Sequence, residues 1–174
     1  MNIKITSDST SDLTEEIRQK YNITTMPITI IYKDKEYLDG VNINSDLLFE
    51  WSKKDKELPR TAASNPSEYK EFFEKIFKEE KPDAIIHFTL SSKLSSLYQN
   101  ARIAAESFGE GKVIVVDSLN LSTGIGVQML YACDLVKQGL SAKQIENKLL
   151  ARREFAQASF VLVELVSFSV EYIV

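Results

Sequence analysis

Ala84-Ile85-Ile86-His87-Phe88-Thr89-Leu90 runs straight into Ser91-Ser92-Lys93-Leu94-Ser95-Ser96, and then into Leu97, Tyr98, Ala101, Ala105 and Phe108 at helical spacing. A short apolar run, a hydroxyl-rich turn and an amphipathic helix make one strand–helix unit. The same succession appears on either side. Ile3–Thr6 reads as a strand and leads into Ser7-Asp8-Ser9-Thr10-Ser11-Asp12. Val113–Val116 is a continuous apolar run of the kind a central parallel strand carries, and Asp117-Ser118 follows it. This alternation predicts an α/β fold with three layers: a mainly parallel sheet with helices on both faces.

The helix ends are written in cap residues. Asn65-Pro66-Ser67-Glu68 supplies an N-cap, a proline at N1 and a glutamate at N3. Tyr69, Phe72, Phe73, Ile76 and Phe77 then follow helical spacing, either as core or as the wall of an apolar cavity. Ser141-Ala142-Lys143-Gln144 is a second capping box, with its helix running to about Arg153. Asp12-Leu13-Thr14-Glu15 fits a third, with Asp12 as the cap and a helix to about Tyr21. A helix from about Leu121 should stop near Gly139. Thr25–Tyr32 reads as a strand that Asp34-Lys35 turns back through Glu36-Tyr37-Leu38. Ala158–Val163 reads as a last strand.

Composition removes several functions. The chain has 174 residues, enough for one core that buries roughly 70% of the unfolded surface. A net charge of −4 argues against a nucleic-acid-binding face. A single Cys and a single His rule out a disulfide framework and multi-His or Cys-rich metal sites. The start, Met1-Asn2-Ile3-Lys4, lacks the apolar segment of a signal peptide, and no run of about 18 apolar residues occurs. A cytoplasmic location is the expectation. His87 falls inside a strand and Cys133 falls mid-helix, so both read as packed residues rather than as a base or a nucleophile.

In parallel α/β sheets, ligands gather beyond the carboxyl ends of the strands. Four segments should bring hydroxyls there. They contribute Asp8 and Ser9 after the first strand, Thr61 and Ser64 before the capped helix, Ser91, Ser92 and Ser95, and the Asp117-Ser118 step. Hydroxyls beside free backbone N–H groups suit one anionic head group. Lys93 and Arg60 are the only nearby cations. With no base at hand, the pattern fits binding better than nucleophilic catalysis. The competing reading is an enzyme on a small phosphorylated or carboxylated substrate, with Asp8 and Asp117 as its acid–base candidates. Gly124-Ile125-Gly126 is not a dinucleotide fingerprint, because it starts seven residues after Asp117 and Met129 stands where a third glycine belongs.

These same segments resemble the DegV family of bacterial fatty-acid-binding proteins. The resemblance is carried by Ser7-Asp8-Ser9-Thr10-Ser11-Asp12-Leu13, by Tyr37-Leu38-Asp39-Gly40-Val41-Asn42-Ile43, and by Pro59-Arg60-Thr61 with Asn65-Pro66-Ser67. Leu90-Ser91-Ser92-Lys93-Leu94-Ser95-Ser96-Leu97-Tyr98-Gln99-Asn100-Ala101 is its most recognisable stretch, and Val115-Val116-Asp117-Ser118 also fits. The resemblance implies a protein without a cofactor that holds a long-chain fatty acid such as palmitate. It implies Thr61 and Ser95 as ligands of the carboxylate, helped by Ser92. It further implies presentation of that carboxylate to a fatty acid kinase, which makes acyl phosphate for phospholipid synthesis. The chain departs from the family pattern after Ser95, where Ser96 and Leu97 stand in place of the common Gly and Thr, and after Thr61, where Thr61-Ala62-Ala63-Ser64-Asn65-Pro66 is longer than the frequent Thr-Ser-Gln-Pro and loses its adjacent Ser.

The resemblance is expected to hold over 1–162 and to be lost near Val163. The tail 163–174 has no Lys, Arg or Gly, as a shifted frame or a truncation would produce. The family's second domain, which closes over the acyl chain, is then expected to be absent. An interaction fragment that forms a homodimer through its C-terminal strand is a further expectation.

Overall fold

The computed structural model describes residues 1–55 and 58–158. Four parallel strands make the main sheet: β1 (Ile3–Asp8), β2 (Thr24–Met26), β6 (Ala84–Thr89) and β7 (Val113–Asp117), in the order β2-β1-β6-β7. Every residue of β1 and β6 is buried, so both faces of the sheet are covered. Helices α3 (Pro66–Glu79) and α4 (Leu97–Ala105) pack as one pair, and α5 (Thr123–Lys137) and α6 (Ala142–Arg152) as another. This is the expected α/β architecture.

A second, antiparallel sheet of order β4-β3-β5 stands beside it, built from β3 (Thr29–Tyr32), β4 (Lys35–Leu38) and β5 (Arg60–Ala62). Pro27 separates β2 from β3, so the single strand expected over Thr25–Tyr32 is two strands in two different sheets. Proline has no N–H to give to a ladder, which ends β2 after Met26. The β3–β4 turn is Lys33-Asp34, one residue earlier than expected, with both residues at positive φ (48° and 58°) as a two-residue hairpin demands. Helix α2 (Ser45–Asp55) packs Trp51 on Tyr32, with ring centroids 5.0 Å apart. Neither α2 nor β5 was anticipated from the sequence.

The caps of α3 and α6 stand as read. Asn65 Oδ1 accepts from the N–H groups of Ser67 and Glu68, and Glu68 Oε2 accepts from Asn65 N at 2.7 Å. Ser141 and Gln144 reciprocate in the same way. The third box fails. Thr14 caps α1 (Glu15–Tyr21), accepting from Ile17 N, while Asp12 is left-handed at φ 48° and ends a short 3-10 turn, Ser9–Ser11. β7 is also not central. It is an edge strand of the described sheet, and α4 and α6 bury its apolar residues. Most of the expected strand Ala158–Val163, and all of the tail 163–174, lie outside the described residues.

Two aromatic residues of α3 are core, and Phe72 and Phe77 pack against it partly buried. Phe73 and Tyr69 are fully buried, and both rings meet the edge of His87 in β6 at about 5 Å. Cys133 is buried on α5, and loss of water pushes its thiol up to about 11. No helix among the described residues is long and apolar enough to cross a membrane.

Gly124 and Gly126 have a packing cause. A Cβ on Gly124 would lie 2.0 Å from Asn120 Oδ1, and one on Gly126 would lie 2.8 Å from Leu13 Cδ2. The bare backbone lets α5 lie against the loops that end β1 and β7. Gly124→Ala should therefore destabilise the protein by about 1–3 kcal/mol through overpacking. Thermal unfolding followed by circular dichroism should show a midpoint lowered by several degrees, about 2–4 °C per kcal/mol for a chain of this size. An unchanged midpoint would refute the close approach.

Candidate functional site

The site is built around the carboxyl end of β6. Two aspartates, one from each neighbouring strand, hold the segment that leaves it. Asp117, the last residue of β7, is 7% exposed. Its Oδ1 accepts from Ser92 N at 3.0 Å and Leu119 N at 3.1 Å, and its Oδ2 accepts from Ser92 Oγ at 2.7 Å. Asp8, the last residue of β1, is 1% exposed. Its Oδ2 accepts weakly from Leu90 N at 3.4 Å, and its Oδ1 accepts from the Tyr69 hydroxyl at 2.6 Å.

Behind Asp8 lies a buried polar set. His87 Nδ1 is 2.9 Å from Thr6 Oγ1, its neighbour across the β1–β6 ladder. His87 Nε2 is 3.4 Å from Asp8 Oδ1 but misaligned for a hydrogen bond. Burial first, and the Asp8 charge second, hold the Tyr69 phenol well above its ordinary range. Sequence reasoning missed the role of Tyr69. The only signal was a tyrosine facing a strand-end aspartate from the first turn of a well-capped helix.

The structure places the expected residues unequally. Ser91 and Ser92 lie just past the end of β6, and Asp8 reaches Leu90 N from the end of β1. Ser91 N donates to Asn120 O at 3.0 Å, which ties the turn to the β7–α5 loop. Ser95 closes the same turn, donating its N–H to Ser91 O at 3.2 Å. Ser9 Oγ accepts from Ile28 N at 3.2 Å and so anchors the start of the second sheet. Ser64 is buried, and its carbonyl accepts from Asn100 Nδ2 of α4 at 2.8 Å. Thr61 does not lie at an end of the main sheet. It sits half-buried in β5, opposite Ile30, three residues before Ser64. Arg60 and Lys93 are exposed.

The hydroxyl protons separate these residues. Ser91 Oγ accepts from Lys93 N at 3.3 Å, and Ser95 Oγ accepts from Leu97 N at 3.3 Å. Each hydroxyl has one proton and two lone pairs. Both serines use a lone pair inside the turn, and neither donates its proton to an acceptor among the described residues. Ser92 has spent its proton on Asp117. The acid–base candidates of the competing enzyme reading are likewise engaged: Asp8 and Asp117 accept hydrogen bonds from backbone N–H groups and hydroxyls. A cavity of about 460 Å³ borders Ser91, Leu94, Leu119 and Asn120, with Lys93 and Arg153 also on its wall.

A family profile described as "Uncharacterised protein, DegV family" matches residues 2–168. The chain belongs to the DegV family. A DegV domain-containing protein of Clostridium perfringens is 33% identical over 167 residues, which cover 94% of this chain and 58% of that protein. Among solved structures, a fatty-acid-binding DegV family protein from Thermus thermophilus superposes with a TM-score of 0.79 at 28% identity. That likeness covers 88% of this chain and 54% of the other. A Streptococcus pneumoniae protein described as Fatty Acid Kinase (Fak) B3, loaded with linoleic acid, shares the fold with a TM-score of 0.72 at 24% identity, covering 88% of this chain and 55% of that one. The chain thus spans a little over half the length of these DegV relatives.

Tyr69→Phe tests the buried set. It keeps the ring and removes the donor to Asp8, which should cost about 1–3 kcal/mol. A phenol whose folded pKa is raised contributes stability that is complete below pH 10 and is lost as pH climbs beyond it. Urea unfolding as a function of pH should show the wild type losing stability above about pH 10 more steeply than Tyr69→Phe. Equal alkaline slopes would contradict the Tyr69–Asp8 bond.

Proposed function

We propose that the chain binds a long-chain fatty acid and holds its carboxylate by hydroxyl donors, Thr61 and Ser95, with Ser91 beside them. The observation that carries this reading is the polarity of the turn after β6. Ser91 and Ser95 accept from their own backbone and keep their protons for an anion. A carboxylate needs donors only, and two or three hydroxyls meet that need without a cation.

The other expected site residues take supporting roles in this reading. Ser92 and Asp8 shape the turn, Ser9 anchors Ile28, and Ser64 ties the Thr61 strand to α4 through Asn100. Membership of the DegV family and the likeness to the Thermus thermophilus fatty-acid-binding protein support the ligand class. Palmitate is our choice within that class. The cover over the acyl chain we assign to the remaining length of the relatives, as the family resemblance implies. Presentation of the bound carboxylate to a fatty acid kinase in the cytoplasm completes the proposal, with this chain as a lipid-binding accessory subunit.

Native mass spectrometry of the purified protein should show a co-purified fatty acid of roughly 16–18 carbons, since each buried methylene adds about 0.8 kcal/mol. Thr61→Ala combined with Ser95→Ala should weaken palmitate by about a hundredfold or more, because each hydrogen bond to a charged group is worth about 1.5–3 kcal/mol. A lipid-free protein that fails to take up palmitate would overturn the reading.

A further inference from the structure

Ser92 differs from Ser91 and Ser95. Its hydroxyl donates to Asp117 Oδ2 at 2.7 Å and its N–H to Asp117 Oδ1 at 3.0 Å. Asp117 in turn makes no ion pair with a Lys, Arg or His among the described residues. Its charge is balanced by three hydrogen bonds, two from Ser92 and one from Leu119 N. The guanidinium of Arg153 reaches only its backbone carbonyl, at 3.5 Å. A carboxylate taken almost wholly out of water is costly unless its acceptor sites are filled, so the Ser92 contact is tightly held.

The consequence falls on the ligand side. A hydroxyl that gives its proton to Asp117 cannot also give it to an incoming carboxylate. With Ser92 pinned at two atoms, the backbone that carries Ser91 and Ser95 is held to the end of β7. Ser91 N on Asn120 O and Ser95 N on Ser91 O fix it further. The protons of Ser91 and Ser95 then remain for an anion, in an arrangement that exists before binding.

We propose that Asp117 is the positioning residue of the head-group site. It acts through Ser92 to preorganise Ser91 and Ser95 and does not touch the ligand itself. This rests on the reading that the turn receives a fatty-acid carboxylate. Preorganisation raises affinity by removing the ordering cost that a loose turn meets on binding.

The test compares palmitate with methyl palmitate, which has the same chain and no charge, by displacement of a fluorescent acyl probe from the full chain. Asp117→Ala should weaken palmitate by about tenfold, because the cost of ordering the turn and its two hydroxyls then falls on binding. It should leave the ester within about twofold. Ser92→Ala, which keeps the N–H bond, should weaken palmitate by about threefold in the wild type and add nothing in the Asp117→Ala background, because the two act as one unit. Asp117→Asn retains a carbonyl oxygen for the N–H groups of Ser92 and Leu119 and should stay within about threefold of wild type.

Equal loss of acid and ester in Asp117→Ala would mark a merely structural residue and overturn the proposal. So would unchanged palmitate binding. If Asp117→Ala does not fold, Ser92→Ala decides, and a loss there that is not selective for the acid overturns it. A wild-type chain that binds neither probe overturns the fatty-acid reading itself, and this proposal with it.

Discussion

The site depends on one carboxylate. Asp117 closes β7 and grips Ser92 by both its backbone and its side chain, so the turn that leaves β6 is fastened to the strand beside it. Asp8 touches the same segment from the other side through Leu90, more weakly. A central strand ends between two acidic neighbours. Neither acid meets a Lys or Arg among the described residues, and both are stabilised by hydrogen-bond donors. This arrangement is stable because N–H and O–H groups fill the acceptor sites that burial would otherwise leave empty. It also decides which serines can serve a ligand.

In the proposed site, the second sheet supplies Thr61 to the hydroxyls of the parallel sheet. Thr61 lies in β5 of the second sheet. Its pairing with β3 puts it on a rigid strand, and three residues later the Ser64 carbonyl is tied to α4 by Asn100. Ser9 fastens the same sheet to the end of β1 through Ile28 N. Hydrogen bonds from Ile28 N to Ser9 Oγ at 3.2 Å and from Asn100 Nδ2 to the Ser64 carbonyl at 2.8 Å thus tie the second sheet to the main layer, and a rigid frame of this kind favours a preformed site.

Much of this was legible in the sequence, for reasons that are local. The Asn65 and Ser141 caps depend on residues three apart, and both formed. The alternation of apolar runs and helical spacing predicted the parallel sheet because each strand and helix buries its own face. The failures were nonlocal. Asp12 lost its cap to Thr14 because the chain first makes a 3-10 turn that leaves Asp12 left-handed. Val113–Val116 looked central because helices bury it, although it lies at the edge of the described sheet. Gly124-Ile125-Gly126 lacks the spacing of a nucleotide motif, but the packing that its glycines serve, against Asn120 and Leu13, needed three dimensions. The site was legible as a collection of hydroxyls. Which hydroxyl keeps its proton depends on partners 25 residues away, as Ser92 and Asp117 are, and no local pattern encodes that.

The central claim is that spare serine protons, ordered by Asp117, receive a carboxylate. The structure of the protein with palmitate bound tests it most directly. The account predicts the ligand carboxylate within about 2.5–3.0 Å of Ser95 Oγ and Thr61 Oγ1, the usual O–H···O range, with Ser92 Oγ still on Asp117. A head group bound elsewhere, or a Ser92 hydroxyl turned from Asp117 onto the ligand, would contradict it.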